Sequence, residues 1–291
     1  MMPPHQVYIE PFLGGGAIAR LKRPAPVNIA MDLYAPAVEN FRKLLASSDP
    51  PSRYLTGSAE TTGNGDEDRN ASSSGADVAI ATIADTTRLG DARSLNAKSG
   101  ERPRRAPSSA TPKWTVLQED GLKFLEASPP ELTGSAATVI YCDPPYVHST
   151  RSTKSVVRGW TPKQQGDRWN GLYVHEMTDV DHRRLLRWAL ETKARVIISG
   201  YWSEMYGSTL RKWRCSSFQA MTRGGMATEY VWCNFPEPAE LHDYRYLGEG
   251  FRERERIKRK KLRWTARLAK MPLLERRCLM AALAESPALH P

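Results

Sequence analysis

The chain has 291 residues, 40% of them apolar, and a net charge of +10. That leaves room for one large α/β domain with an appendage, and so basic a balance favours a polyanionic partner, nucleic acid first. Cys142, Cys215, Cys233 and Cys278 lie far apart without a C-x-x-C pair, so neither a metal site nor a disulfide scaffold is signalled and a reducing compartment is expected. No basic-then-apolar leader opens the chain and no apolar run is long enough for a bilayer, so a soluble cytoplasmic protein without a membrane partner is expected.

Residues 7–13 read as a strand running into Gly14-Gly15-Gly16, with a short helix over 17–22 stopped by Pro24 and Pro26. A second strand, 27–31, ends at Asp32, and residues 35–46 have helical spacing through Val38, Phe41 and Leu45. From 47 to 112 the composition turns to Ser, Thr, Gly, Ala, Asp and Pro. Such a tract has too little apolar surface to offset its ordering entropy, so it is predicted as largely disordered, with 78–83 as one ordered island. T-T-x-x-G-D recurs in it at 61–66 and 86–91.

Order resumes with a strand over 114–118 leading to Asp120 and a helix over 121–127. Residues 138–142 form the next strand, followed by a basic, Trp-containing segment from 147 to 171. Thr178 with Asp181 three residues on is a capping-box start for a helix over 179–192. A strand over 196–199 and a hairpin of 218–222 with 230–235 close the domain. Strands alternating with helices predict a Rossmann-like, mostly parallel, doubly wound sheet with an antiparallel edge hairpin. A basic helix over 252–270 follows, its apolar stripe of Ile257, Trp264, Leu268 and Met271 interrupted by Lys261, and Pro272 starts a second helix. The expected divisions are 1–46 and 113–238 as two halves of one domain, 47–112 as an insert, and 239–291 as a basic helical extension.

The chemistry concentrates at strand ends. In Asp143-Pro144-Pro145-Tyr146 each Pro fixes its own φ, lacks an N–H and pushes its predecessor extended. The tip therefore presents a carboxylate, bare carbonyl oxygens and an aromatic face, an array that can accept hydrogens from an amino group and stack the ring carrying it. At the first strand–helix turn, Glu10-Pro11-Phe12-Leu13-Gly14-Gly15-Gly16 offers glycines for close ligand approach. Asp32 is placed for a ribose diol and Asp120 for an adenine amino group, although each could equally be a helix N-cap. Gly14, Gly16 and Ala19 also satisfy G-x-G-x-x-A, so a dinucleotide dehydrogenase competes at this end. Such enzymes have no need of a proline-locked carboxylate on the fourth strand, which decides against them.

Together with Asp120-Gly121-Leu122-Lys123-Phe124, His175-Glu176-Met177-Thr178, His182, Ser199-Gly200-Tyr201 and Glu229-Tyr230-Val231-Trp232-Cys233-Asn234, these residues resemble the D12 class of adenine-specific DNA methyltransferases, which includes Dam-type and many phage enzymes. The resemblance covers 8–40 and 113–236 and implies the S-adenosylmethionine-dependent methyltransferase fold, with that cofactor and N6-methyladenine as product. By resemblance Glu10, Phe12, Gly14, Gly16, Asp32, Asp120, Gly121 and Asp143 bind the cofactor. Asp143, Pro144, Pro145 and Tyr146 act on a flipped adenine in DNA, Asp143 and the Pro144 carbonyl binding the amine and Tyr146 stacking on the base. The setting implied is the nucleoid of a prokaryote or a phage-encoded enzyme, and a restriction endonuclease partner and either a monomer or a dimer stay open. Two departures stand out: in this family a Trp/Gly/Lys-type segment usually precedes the glycine loop, where here only residues 1–6 do, and the tract 47–112 occupies the usual target-recognition position.

For DNA contact the candidates are Arg151, Lys154, Arg158, Trp160 and Arg168 beside the catalytic tip, and Arg254, Arg256 and Lys260 on the basic helix. Cys142 is expected in the strand packing, not as a nucleophile. His175, Glu176 and His182 do not have H-E-x-x-H spacing, so the histidines are expected to support local structure. Methylation of another amine (cytosine-N4, RNA adenine or a protein glutamine) and an inactive nucleic-acid-binding homologue are the alternatives. Enzymes for cytosine-N4 commonly carry Ser, and those for glutamine Asn, where this chain has Asp143.

Overall fold

A computed structural model describes residues 2–47, 112–150, 175–222 and 225–286. Most of the tract 47–112, with the expected island at 78–83, and the basic segment from 151 to 171 lie outside the described residues. The chain divides into two compact units, Met1–His242 and Asp243–Pro291.

In the first unit, among the described residues, seven strands form one sheet in the order β3-β2-β1-β4-β5-β7-β6. β1 (Val7–Glu10), β2 (Val27–Asp32), β3 (Lys113–Gln118), β4 (Thr138–Cys142) and β5 (Arg195–Gly200) are parallel; β7 (Gly225–Cys233) runs antiparallel to β5 and to β6 (Arg214–Thr222). The connecting helices are α1 (Ala17–Leu21), α2 (Ala35–Ala46), α3 (Gly121–Ala127), α4 (Pro130–Thr133), α5 (Asp179–Glu191) and α6 (Glu204–Thr209). This is the doubly wound, Rossmann-like arrangement that the alternation of strands and helices predicts.

A parallel sheet must be covered on both faces, so its central strands read as continuous apolar runs. Successive side chains point to opposite faces. Ile9, Ile29, Met31, Ile140 and Ile198 pack on one side with Leu122, Phe124, Leu185 and Leu186. Tyr8, Ala30, Val139 and Ile197 pack on the other with Ala19 and Phe41. Each large aliphatic side chain so buried contributes roughly 1.5–3 kcal/mol. Cys142 belongs to the first cluster, and burial pushes its thiol well above its ordinary value, which suits the core role expected of it.

Several elements differ from their sequence-based bounds. β1 ends at Glu10 instead of running to residue 13, because Pro11 has no N–H to continue the ladder. The hairpin is longer than expected: its strands begin at Arg214 and Gly225, where polar residues hide the pattern. α4 and α6 were not predicted; at four and six residues they are too short to show a helical period. The capping box at α5 is present, with Thr178 Oγ1 accepting from Asp181 N at 3.2 Å and Asp181 Oδ2 accepting from Thr178 N at 3.1 Å.

The second unit holds α7 (Phe251–Lys270) and α8 (Leu273–Glu285), and neither helix has a buried residue. Among the described residues no helix is long and apolar enough to cross a membrane.

Gly121 opens α3 directly against the turn after β1: a Cβ there would lie 1.9 Å from the Pro11 carbonyl oxygen. That atom belongs to the backbone, so one of the two segments must move. Gly121→Ala is expected to destabilise the protein by roughly 1–3 kcal/mol, lowering Tm by on the order of 5 °C. An unchanged thermal midpoint in a melting experiment would contradict this packing.

Candidate functional site

A doubly wound sheet opens a crevice outside the carboxyl ends of its strands, where connections leave in opposite directions. Here that point lies between β1 and β4, because β1 pairs with β2 on one side and with β4 on the other. A cleft of about 740 Å³ opens there, walled by residues 10–18, the end of β2, the start of α3, the end of β4 and the approach to α5. Glu10, Phe12, Gly14, Gly16, Asp32, Asp120, Gly121, Asp143 and Pro145 all line it. Five elements distant in sequence thus bring the expected cofactor residues to one cavity.

The glycine turn is held open from behind. Gly14 and Gly16 have φ of 47° and 61°, the left-handed region that glycine enters without strain. Leu13 N donates to Met31 O at 2.9 Å, and Gly14 N donates to Asp32 Oδ2 at 2.7 Å. Asp32 Oδ1 accepts from Tyr34 N at 2.8 Å. Asp32 therefore fixes the turn between two strand ends while facing the cavity, and its remaining lone pairs are available to a diol. Asp120 fulfils the alternative reading given above: Oδ1 accepts from Leu122 N at 3.0 Å and Lys123 N at 3.2 Å, capping α3 at the cleft wall.

Glu10 and Asp143 sit at the switch point. Glu10 is 2% exposed and accepts from Tyr8 Oη at 2.6 Å. Burial pushes its carboxyl up to about 8; the Tyr8 bond opposes the rise and the charge of Asp143 adds to it. Asp143 is open to the cleft but walled by protein behind, and this desolvation moves its carboxyl up to about 6, against a hydrogen bond from Ser199 and with the charge of Glu229. Ser199 Oγ donates to Asp143 Oδ1 at 3.0 Å and lies 2.8 Å from Tyr141 Oη. Pro144 is buried beneath the tip. Tyr146 packs its ring on Tyr201, centroids 4.4 Å apart at 47°, and is not part of the cleft wall.

The cleft is acidic although the chain is basic. Glu10, Asp32, Asp120, Asp143, Glu176 and Asp181 line it, and among the described residues no Lys or Arg does. Lys123 stands 3.9 Å from Asp120 and Arg184 3.1 Å from Asp181, neither as part of the lining. Sequence reasoning placed none of Tyr141, Glu176, Met177 and Asp181 in the cleft, Asp181 being read there only as a helix cap. The strand alternation that puts Tyr141 on the face opposite Ile140 is a signal that could have found it. His182 is buried with Nδ1 2.8 Å from Tyr206 Oη, a support for local structure.

The DNA-contact candidates Arg151, Lys154, Arg158, Trp160 and Arg168 lie outside the described residues. Arg254, Arg256 and Lys260 belong to α7 in the second unit. Arg254 Nη1 reaches Gly248 O at 3.4 Å, Arg256 pairs with Glu253 at 3.2 Å, and Lys260 is exposed.

No protein-family model and no curated protein matches this sequence. Among solved structures the chain is similar to a candidate methyltransferase from Streptococcus mutans in complex with SAH, at 8% identity over 80% of this chain and 89% of that one, TM-score 0.34. It is also similar to an rRNA methylase from Streptococcus thermophilus, at 8% identity over 80% and 88% of the two chains, TM-score 0.34. A third is the 23S rRNA methyltransferase ErmE, at 14% identity over 97% and 82%, TM-score 0.33. Likenesses this distant concern the fold alone, which the strand order establishes without them.

The raised Glu10 carboxyl has a stability consequence of definite sign. A carboxyl that titrates near 4.5 unfolded and at about 8 folded holds its proton more tightly in the folded state, so stability falls as pH rises through that window. Asp143 adds a fall between 3.8 and about 6. Glu10→Gln keeps an acceptor for Tyr8 but cannot ionise. Its Tm is expected to exceed that of the wild type by a margin that widens from pH 6 to pH 8; parallel melting curves across that range would contradict a buried, neutral Glu10.

Proposed function

We propose that the protein transfers a methyl group from S-adenosylmethionine to the N6 amine of adenine in DNA. The observation that carries the cofactor half is the charge of the cleft. A dinucleotide brings a pyrophosphate to the switch point, where the Asp143 carboxylate would repel it; S-adenosylmethionine brings a sulfonium and an ammonium against a single carboxylate. A cation about 4 Å from one such carboxylate gains on the order of 1–4 kcal/mol, depending on how much water remains. Gly14 and Gly15 leave open space beside the backbone, as a closely approaching ligand requires. The residues therefore fit this cofactor better than the dinucleotide that G-x-G-x-x-A alone would allow.

Asp32 would hold the ribose, Phe12 and the glycine turn the methionine part, and the α3 start with Asp120 the adenine side. When bound, the cofactor supplies an electrophilic methyl group. The chain's own contribution is to make a poor nucleophile attack. An exocyclic adenine nitrogen is delocalised into its ring, and hydrogen bonds from its two hydrogens to Asp143 and to the Pro144 carbonyl favour a pyramidal nitrogen with a directed lone pair. Positioning and electrostatics then suffice, with no covalent enzyme intermediate. Extruding the base costs a few kcal/mol, and stacking on Tyr146 would offset part of it. That requires the Tyr146–Tyr201 contact to open or to accommodate the base at its edge.

The substrate half rests on the acid-proline-proline-aromatic tip and on the basic charge of the chain, including α7, whose cations suit phosphates more than base edges. RNA adenine shares the same chemistry, and the assay distinguishes the two. Purified protein given S-adenosylmethionine with a labelled methyl group is expected to label DNA at N6 of adenine, and to leave RNA of matched composition unlabelled. Asp143→Ala is expected to reduce transfer by about a hundredfold or more while keeping cofactor affinity within about tenfold, since one of several carboxylates is lost. Undiminished transfer by this variant would remove Asp143 from the catalytic assignment, and labelling of RNA alone would replace the substrate.

A further inference from the structure

We propose that Ser199 is a positioning residue that fixes which oxygen of Asp143 faces the reacting amine, with Tyr141 holding Ser199 in place; this rests on the methyl-transfer reading of the same cleft. The sheet register sets up the contact. β4 and β5 are parallel with Tyr141 opposite Ile197 and Cys142 opposite Ile198, so the next pair in line is Asp143 with Ser199. Ser199 is 5% exposed, and its hydroxyl lies 3.0 Å from Asp143 Oδ1, 2.8 Å from Tyr141 Oη and 3.4 Å from Cys142 O.

The backbone of Asp143 is restricted by Pro144, which biases its predecessor to extended conformations. What remains is rotation of the carboxylate itself. A donor at Oδ1 removes that freedom and leaves Oδ2 to accept from a substrate amine. A carboxylate that turned freely would offer the amine an acceptor in the right place for only part of the time, and an acceptor displaced by about 1 Å costs rate steeply. The same bond opposes protonation. Glu229 on β7, Glu10 on β1 and Cys142 and Tyr141 on β4 stand around Asp143, and His175, Glu176 and Asp181 line the same cleft. Ser199 supplies a hydrogen-bond donor among mostly acidic neighbours.

The test compares wild type, Ser199→Ala, Ser199→Thr and Tyr141→Phe by two readouts. One is the pH dependence of kcat for methyl transfer; the other is titration of the Asp143 carboxyl carbon by NMR in protein labelled at aspartate, which needs no activity. Ser199→Ala should lower kcat by about tenfold or more with KM for S-adenosylmethionine changed less than about twofold, because the bond acts on the reacting amine. Its acid limb and its Asp143 titration should both move to higher pH. Ser199→Thr, which keeps the hydroxyl, should restore both, and Tyr141→Phe should move both in the same direction by less. A Ser199→Ala variant with wild-type kcat and an unmoved Asp143 titration would overturn the proposal. Should the wild type transfer no methyl group at any pH, the methyl-transfer reading falls, while a moved Asp143 titration would still uphold the Ser199 contact.

Discussion

Parallel pairing of β1 with β4 is the constraint on which the site depends. It places Glu10 and Asp143, far apart in the sequence, at neighbouring strand ends, and the reversal of connection order there leaves the crevice uncovered. Both strands are packed from both faces, so neither end can retreat from the other without exposing Ile9, Ile140 or Tyr8. The hydrophobic core thus forces two carboxylates together that would separate in water. Burial is the main reason both carboxyls rise toward neutral pH, with the charge of Asp143 adding to the rise of Glu10 and that of Glu229 to the rise of Asp143.

Hydrogen bonds hold the acids in place: Tyr8 on Glu10, Ser199 on Asp143, and the Gly14 and Tyr34 amides on Asp32. Asp32 and Asp143 are preset acceptors on the cavity wall, so a cationic ligand is met by groups that need little reorganisation. An anionic ligand would meet only the amides of the glycine turn and the start of a five-residue helix. The positive charge of the chain is concentrated elsewhere in the sequence, notably along α7.

Much of this was legible in the sequence where the signal was local. A β-rich run halted by two prolines gave the bounds of β4, Asp120 ahead of an apolar pair gave α3, and Thr178 with Asp181 gave the start of α5. Asp143, Asp32 and the glycine turn were legible as a group because strand ends in a parallel sheet converge. What escaped depended on register or on alternation. Ser199 meets Asp143 only because β4 and β5 pair without offset. Tyr8 reaches Glu10 only because residues two apart share a face. The hairpin strands were cut short because Arg214-Cys215-Ser216-Ser217 is polar, and pairing with β7, not composition, makes it a strand.

The central claim is that this cleft is built for a cationic sulfonium nucleoside. Titration calorimetry of the purified protein with S-adenosylmethionine, and separately with NAD, tests it most directly. The account predicts saturable one-to-one binding of S-adenosylmethionine that weakens as salt is added, and no binding of NAD under the same conditions. Saturable binding of NAD with none of S-adenosylmethionine would contradict it.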